Sequence, residues 1–294
     1  MVGIEQQLDG YISDALYAAN APSAANPVAT KADLTQGTNT IPAFADEKQF
    51  LQVTDFNTGS LPVGWTGSVS GTGAAVVYTQ ANEPGVSPGM ALATLTTTTL
   101  SRVSLLTGSG SQYMRSFTDG PETTYFAQVK WHTVPPVTNA AQILGWINSN
   151  SFSPLSTIGN TLAIVYDPGN ATGTNPGLIT NLFLLARSNY GGTANTVLDL
   201  GILPDAVNWR AYKIVYDNVL SEVRVYRDNV LLATLLNMAN VPGGPVKGII
   251  PAGVAGASII ANGIQAGFYM ANQGVPATGS GLRIAKISVF KRYS

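Results

Sequence analysis

Cysteine is absent from the chain. That excludes disulfides, thiolate nucleophiles and cysteine-based zinc sites. Histidine occurs once, at His132, so any Ser-His-Asp system would have to use that residue. Charge is scarce. Asp, Glu, Lys and Arg make up 11% of the residues, against about 25% in an ordinary soluble domain. The 15 basic and 16 acidic residues leave a net charge of −1. A nucleic-acid binder needs a basic surface to displace counterions from phosphates, so neither nucleic acid nor an anionic membrane is an expected partner.

Long apolar runs are also missing. The best candidate for a membrane span, 249–264, contains Pro251, Asn262 and several glycines, and is too short for the ~20 residues a helix needs to cross. The beginning, Met1-Val2-Gly3-Ile4-Glu5-Gln6-Gln7, lacks the basic start and apolar core of a secretion signal. A chain that stays in the cytoplasm of its cell of origin is therefore expected.

What the sequence does hold is 45% apolar residues, 31 glycines and 17 prolines. This is the composition of many short strands joined by turns, not of a disordered chain, which would be poor in apolar residues. The helical signal is confined to residues 1–20. Ile4, Leu8, Ile12 and Leu16 recur every fourth position, with Glu5, Gln6, Asp9, Ser13 and Asp14 on the other faces. That spacing predicts an amphipathic helix of about four turns, stopped by Pro22. A lone helix of this length is marginal in water. Its apolar stripe needs a cover: its own β-domain, sister copies or a larger particle. Residues 21–46, with Pro22, Asn26, Pro27 and Pro42 among small residues, read as an extended arm.

From Phe50 onward the period becomes two. In Thr123–Thr133, Tyr125, Ala127, Val129 and Trp131 alternate with Gln128, Lys130 and His132, which predicts a half-buried strand. Similar runs recur near 74–79, 90–95, 103–106, 143–147, 162–166, 182–185, 212–216, 223–226, 230–235, 264–270 and 282–290. With no helices between them, they predict antiparallel pairing in a sandwich or barrel over residues 47–294. Asp228-Asn229 supplies two residues tolerant of positive φ, the requirement of a tight hairpin between 222–227 and 230–235.

Motifs for chemistry are thin. No Gly-x-Ser-x-Gly elbow exists, since Gly67-Ser68-Val69-Ser70-Gly71 places valine at the nucleophile position. Gly243-Gly244-Pro245-Val246-Lys247-Gly248 lacks the spacing and hydroxyl of a phosphate loop. Glycoside hydrolysis needs two facing carboxylates. The densest acidic group, Asp217, Glu222 and Asp228, lies around hairpin turns, where acids serve turn chemistry. Asp167-Pro168-Gly169-Asn170 offers two oxygen ligands for calcium but is first a good turn. Trp65, Trp131, Trp146, Trp209, Tyr113 and Tyr190 are candidates for stacking on sugars, against the rule that tryptophan fills a sandwich core. No residue is assigned to catalysis, a cofactor or a metal.

Two segments carry resemblances. Trp209–Leu235, a strand ending in Tyr216-Asp217 followed by Tyr226-Arg227-Asp228-Asn229, together with the closing run Gly279–Phe290, resembles the meander and last strand of concanavalin-like (laminin-G-like) jelly-roll domains. Asn229 stands where that family often has glycine. The Glu-x-Asp-x-x-Glu strand of hydrolases similar to laminarinases is missing. The resemblance implies a jelly-roll sandwich and leaves the function open, because the fold serves lectins, hydrolases and scaffolds. The second segment, Pro22-Ser23-Ala24-Ala25-Asn26-Pro27-Val28-Ala29-Thr30-Lys31-Ala32-Asp33-Leu34, resembles a junction in bacteriophage tail-fibre and virion appendage proteins. It implies a non-enzymatic structural protein of a virion, a tail fibre or capsid decoration, assembled in the host cytoplasm and released by lysis. Ile4, Leu8, Ile12, Leu16, Pro22, Asn26 and Pro27 would form the assembly anchor. The partners implied are other virion proteins of capsid, collar or tail, sister copies in a homotrimer or other symmetric homo-oligomer, and a host-surface glycan.

Overall fold

Alternation of large apolar and polar side chains is what builds the walls of this molecule. In a computed structural model, the segment Glu122–Thr133 is one strand. Tyr125, Ala127, Val129 and Trp131 are at most 1% exposed, while Phe126, Gln128 and Lys130 are half-buried on the other side. The structure describes residues 49–54, 56, 60–61, 64–72, 74–79, 90–95, 101–107, 122–133, 140–147, 161–170, 174–175, 177–188, 194–217, 219–220, 222–236, 265–272 and 280–292. The expected N-terminal helix and arm, and with them Ile4, Leu8, Ile12, Leu16, Pro22, Asn26 and Pro27, lie outside the described residues.

The described strands, in chain order, are β1 (Gln49–Thr54), β2 (Trp65–Ser70), β3 (Ala75–Thr79), β4 (Met90–Leu95), β5 (Arg102–Thr107), β6 (Glu122–Thr133), β7 (Ala140–Ile147) and β8 (Thr161–Tyr166). They continue with β9 (Leu182–Ser188), β10 (Ala194–Ile202), β11 (Arg210–Asp217), β12 (Glu222–Arg227), β13 (Val230–Leu236), β14 (Gln265–Asn272) and β15 (Ser280–Arg292). Among the described residues no helix occurs. The first sheet runs β13-β12-β11-β6-β15-β4-β3. One side of β15 is shared: Ser280–Ile284 pairs with β4, and Ile287–Arg292 pairs with β1. The second sheet runs β10-β9-β8-β7-β14-β5-β2. Every pairing is antiparallel. The chain passes between the sheets repeatedly, an arrangement consistent with the jelly-roll sandwich implied by the sequence. These strands all belong to one unit, Gln49–Tyr293.

The core lies between the sheets. Tyr125 and Trp131 of β6, Trp146 of β7, Tyr212 of β11 and Phe268 of β14 are all at most 1% exposed within it. Two ring pairs meet edge to face: Tyr125 with Trp146 at 5.7 Å and Trp131 with Tyr212 at 5.8 Å. Such pairs add about 0.5–1.5 kcal/mol each beyond burial. Two of these rings place their polar ends on partners across the sandwich. The Trp131 indole N–H donates to Gln142 Oε1 of β7, and the Tyr125 hydroxyl donates to the Gly267 carbonyl of β14 at 2.8 Å. Gly267 pairs directly with Gly145 of β7. A Cβ on Gly267 would stand 1.9 Å from the Leu105 carbonyl oxygen, and one on Gly145 would stand 2.5 Å from that of Leu162. Glycine therefore sets how closely β5, β14, β7 and β8 approach.

The second sheet is buried on its outward side too. Leu106, Ile143, Ile147, Val165, Phe183, Leu185 and Tyr269 have no measurable exposure there, with Ile179 and Val197 packed against them. This explains the mostly apolar runs of β7 (apart from Gln142) and β8, which two-sided burial demands and one-sided burial does not. The tight hairpin at Asp228-Asn229 forms as expected, with φ of 51° and 65°. Strands β2 and β10 were not anticipated from the sequence.

Candidate functional site

The connection from β10 to β11 builds the most elaborate polar arrangement among the described residues. Its centre is Asp205. One carboxylate oxygen, Oδ1, accepts the backbone N–H groups of Val207 (2.9 Å) and Asn208 (2.8 Å), closing a turn. The other, Oδ2, accepts Arg210 Nε at 2.7 Å and the Asn208 amide at 3.3 Å. Arg210 then reaches Asp228 Oδ2 in the β12–β13 hairpin at 2.9 Å, while Asp228 Oδ1 accepts the Ala211 N–H at 2.9 Å. The Asp205 carbonyl accepts the Trp131 N–H at 3.0 Å, which fixes the same connection to β6. One guanidinium thus clamps two connections together at the end of the first sheet.

Beside the clamp is an open cleft of ≈ 540 Å³, lined by Asn181, Gly201, Leu203, Pro204, Asp205 and Arg227, among others. Its floor follows a register break in β10 between Asp199 and Ile202. Asp199 stabilises that break by accepting the Gly201 N–H at 2.8 Å and the Asn181 amide at 3.1 Å. Leu203 and Val207 stand out at its rim, 60% and 77% exposed.

Partial burial pushes the Asp205 carboxyl upward. The N–H of Asn208, the Arg210 guanidinium and the N–H of Val207 outweigh that and hold it far below the usual carboxylate range. Such a carboxylate is a poor proton acceptor near neutral pH, and its bonds are already committed to the turn and the clamp. Asp205 is therefore a fixed support of the cleft wall rather than a base.

The residues singled out in the sequence are dispersed. Asp217 accepts the Leu220 N–H at 2.9 Å and binds Arg224 at 3.0 Å, and Glu222 binds the same Arg224 at 3.1 Å. Asp228 belongs to the clamp. The three acids thus serve turns and ion pairs. The 167–170 turn forms, with the Asn170 N–H on the Asp167 carbonyl at 3.1 Å. Its Asn170 side chain accepts the Asn175 N–H at 2.7 Å, Asp167 is fully buried, and no group of three metal-ligating side chains occurs among the described residues. Trp65, Trp131 and Trp146 are in the core; Trp209 is half-buried at the start of β11. His132 falls on β6 with its side chain outside the described residues, as are Tyr113 and Tyr190.

The sequence reading missed Asn181, Asp199, Asp205 and Arg210. Asp205-Ala206-Val207-Asn208 does carry a turn signal. The cleft itself is drawn from three separated stretches of chain, which no local pattern brings together.

Fold and cleft together define an all-β protein of two stacked antiparallel sheets with an open depression beside the β10–β11 connection. No protein-family model matches the chain, and no curated protein matches it in sequence. Solved structures do. A protein of unknown function from Shewanella oneidensis MR-1 matches with a TM-score of 0.52 and 13% identity, over 84% of this chain and 87% of that one. The carbohydrate recognition domain of Emp47p matches at 0.46 and 15% identity, over 82% and 95%. Lectin II from Ulex europaeus matches at 0.46 and 12% identity, over 83% and 99%. The first likeness speaks for the fold alone, and the other two are too distant to bear on function.

Proposed function

We propose that this chain is a non-enzymatic binding and display protein: a concanavalin-like jelly roll carried on the segment 1–46, working as a fibre or decoration protein of a bacteriophage virion. The observation that carries the reading is the division of labour along the chain. Residues Gln49–Tyr293 form one unit with a core between its sheets, and in this reading the leading segment serves attachment. The stripe Ile4, Leu8, Ile12 and Leu16 supports this, since an apolar helix face needs a cover. So does the junction pattern at Pro22, Asn26 and Pro27. Partners in this reading are other virion proteins and sister copies in a symmetric homo-oligomer. The test is Leu8→Asp with Ile12→Asp in the full chain. The sandwich should keep its melting temperature while incorporation into particles is lost. Normal incorporation would refute the anchor.

A second reading, recognition of a host-surface carbohydrate, is favoured by one observation: the cleft beside Asp205, whose support is rigid and whose rim carries exposed Leu203 and Val207. A glycan array with the wild type and Leu203→Asp decides it. Binding of a defined glycan that Leu203→Asp abolishes supports recognition at the cleft; silence across the array refutes it.

A further inference from the structure

A sheet that does not close into a barrel ends in strands whose outer backbone N–H and C=O groups have no ladder to join. Proteins usually guard such edges with charge, proline or an irregular strand. The two sides of this sandwich differ in that respect. On one side the end strands are β13 and β10, which touch each other. Strand β13 meets β12 through a register shift between Val225 and Tyr226, and β10 carries Asp199 and a shift of its own. On the other side the end strands are β3 and β2. Among the described strands, β3 pairs with β4 alone and β2 with β5 alone, and both registers run without a break.

Strand β3 is the less guarded of these two. Its sequence, Ala75-Val76-Val77-Tyr78-Thr79, holds no charge, no proline and no glycine, and it is rich in residues that favour strands. Strand β2 is diluted by Gly67, Ser68 and Ser70. Val76 packs against the core, so Val77 faces outward, where it is 54% exposed. The symmetry of β3 decides what can add to it. When a strand pairs antiparallel with a copy of itself about a two-fold axis at its middle residue, Val77 meets Val77, Val76 meets Tyr78, and Ala75 meets Thr79. Inward positions meet inward positions, so the joined sheet keeps its buried and open faces. No like charges are brought opposite one another, which would oppose self-pairing.

We propose that the first sheet is continued by a second copy of this chain, with β3 pairing antiparallel with β3 of the partner about a two-fold axis at Val77. The contact is independent of the leading segment 1–46 and of the cleft, which lies beside β10 and Arg227. The chain contains no cysteine, so one introduced thiol reports on its own neighbours. Directly opposite residues of an antiparallel pair have Cα atoms about 4.5–5.5 Å apart, inside the span of about 4.4–6.8 Å that a disulfide bridges. Full-length Val77→Cys, treated with oxidised glutathione, should form a covalent dimer on a non-reducing gel at least about tenfold faster than Val207→Cys, whose position is also exposed but lies at the cleft. Adding Leu8→Asp and Ile12→Asp should leave that dimer in place, which separates this contact from the anchor. Val77→Lys sets two cations opposite each other and should halve the molar mass measured by light scattering; Val77→Glu gives the same reading if the lysine variant fails to fold. A folded Val77→Cys that stays unlinked, equal rates for Val77→Cys and Val207→Cys, or an unchanged mass for the folded charged variant would overturn the proposal.

Discussion

Replacing Tyr125 with phenylalanine removes one oxygen from the middle of the molecule and little else. The ring stays in its edge-to-face contact with Trp146 at 5.7 Å, because phenylalanine fills the same volume. What disappears is the 2.8 Å hydrogen bond to the Gly267 carbonyl, between groups that water does not reach. A buried acceptor left without its donor costs about 1–3 kcal/mol. For a unit the size of Gln49–Tyr293, each kcal/mol moves the melting temperature by about 2–4 °C. Tyr125→Phe should therefore lower Tm by about 4–8 °C at the middle of that range. Thermal unfolding followed by circular dichroism measures it directly. A variant melting within about 1 °C of the wild type would mean that the hydroxyl does not tie the two sheets together.

Two further predictions concern the sheet junction and the clamp. Gly267→Ala places a Cβ 1.9 Å from a backbone oxygen of the next strand; β14 and β5 must separate, and a loss of about 2–3 kcal/mol is expected as a lower urea midpoint, so an unchanged midpoint would show that the junction has slack. Asp205→Asn tests the clamp through pH. The Asp205 carboxyl titrates below its unfolded value of about 3.9, so its stabilisation is present above that pH and is lost as pH falls through the folded value. The gap in Tm between wild type and Asp205→Asn should be full at neutral pH and shrink below about pH 4; a gap of constant size would count against the depressed carboxyl.

The strands with strong alternation were legible in the sequence, for a physical reason. Tyr125, Ala127, Val129 and Trp131 had to leave water together, and only a pleated strand puts them on one side. The Asp228-Asn229 hairpin was legible because few residue pairs accept positive φ twice. Strand β2, Trp-Thr-Gly-Ser-Val-Ser, escaped notice because its small polar residues carry almost no hydrophobic signal and its pairing with β5 supplies the order. Strand β10 was hidden by Asp199 and by its register break. The two-sided burial of β7 and β8 was written in their sequences as apolar runs, broken in β7 by Gln142, yet such runs alone do not say what lies on either side. The clamp depends on Asp205, Arg210 and Asp228, and only the fold makes the last of these a neighbour of the first. The placing of Glu122, Asp217 and Glu222 at one register level was invisible to a net charge of −1, which averages over the whole chain.

A wall with no idle side has little freedom to change. Along β7 and β8 every side chain faces an interior, so a substitution that helps one packing layer is also judged by the other. New specificities in this molecule would have to be written on its loops and on the outward side of its companion sheet, while the doubly covered sheet stays as the frame on which they are exchanged.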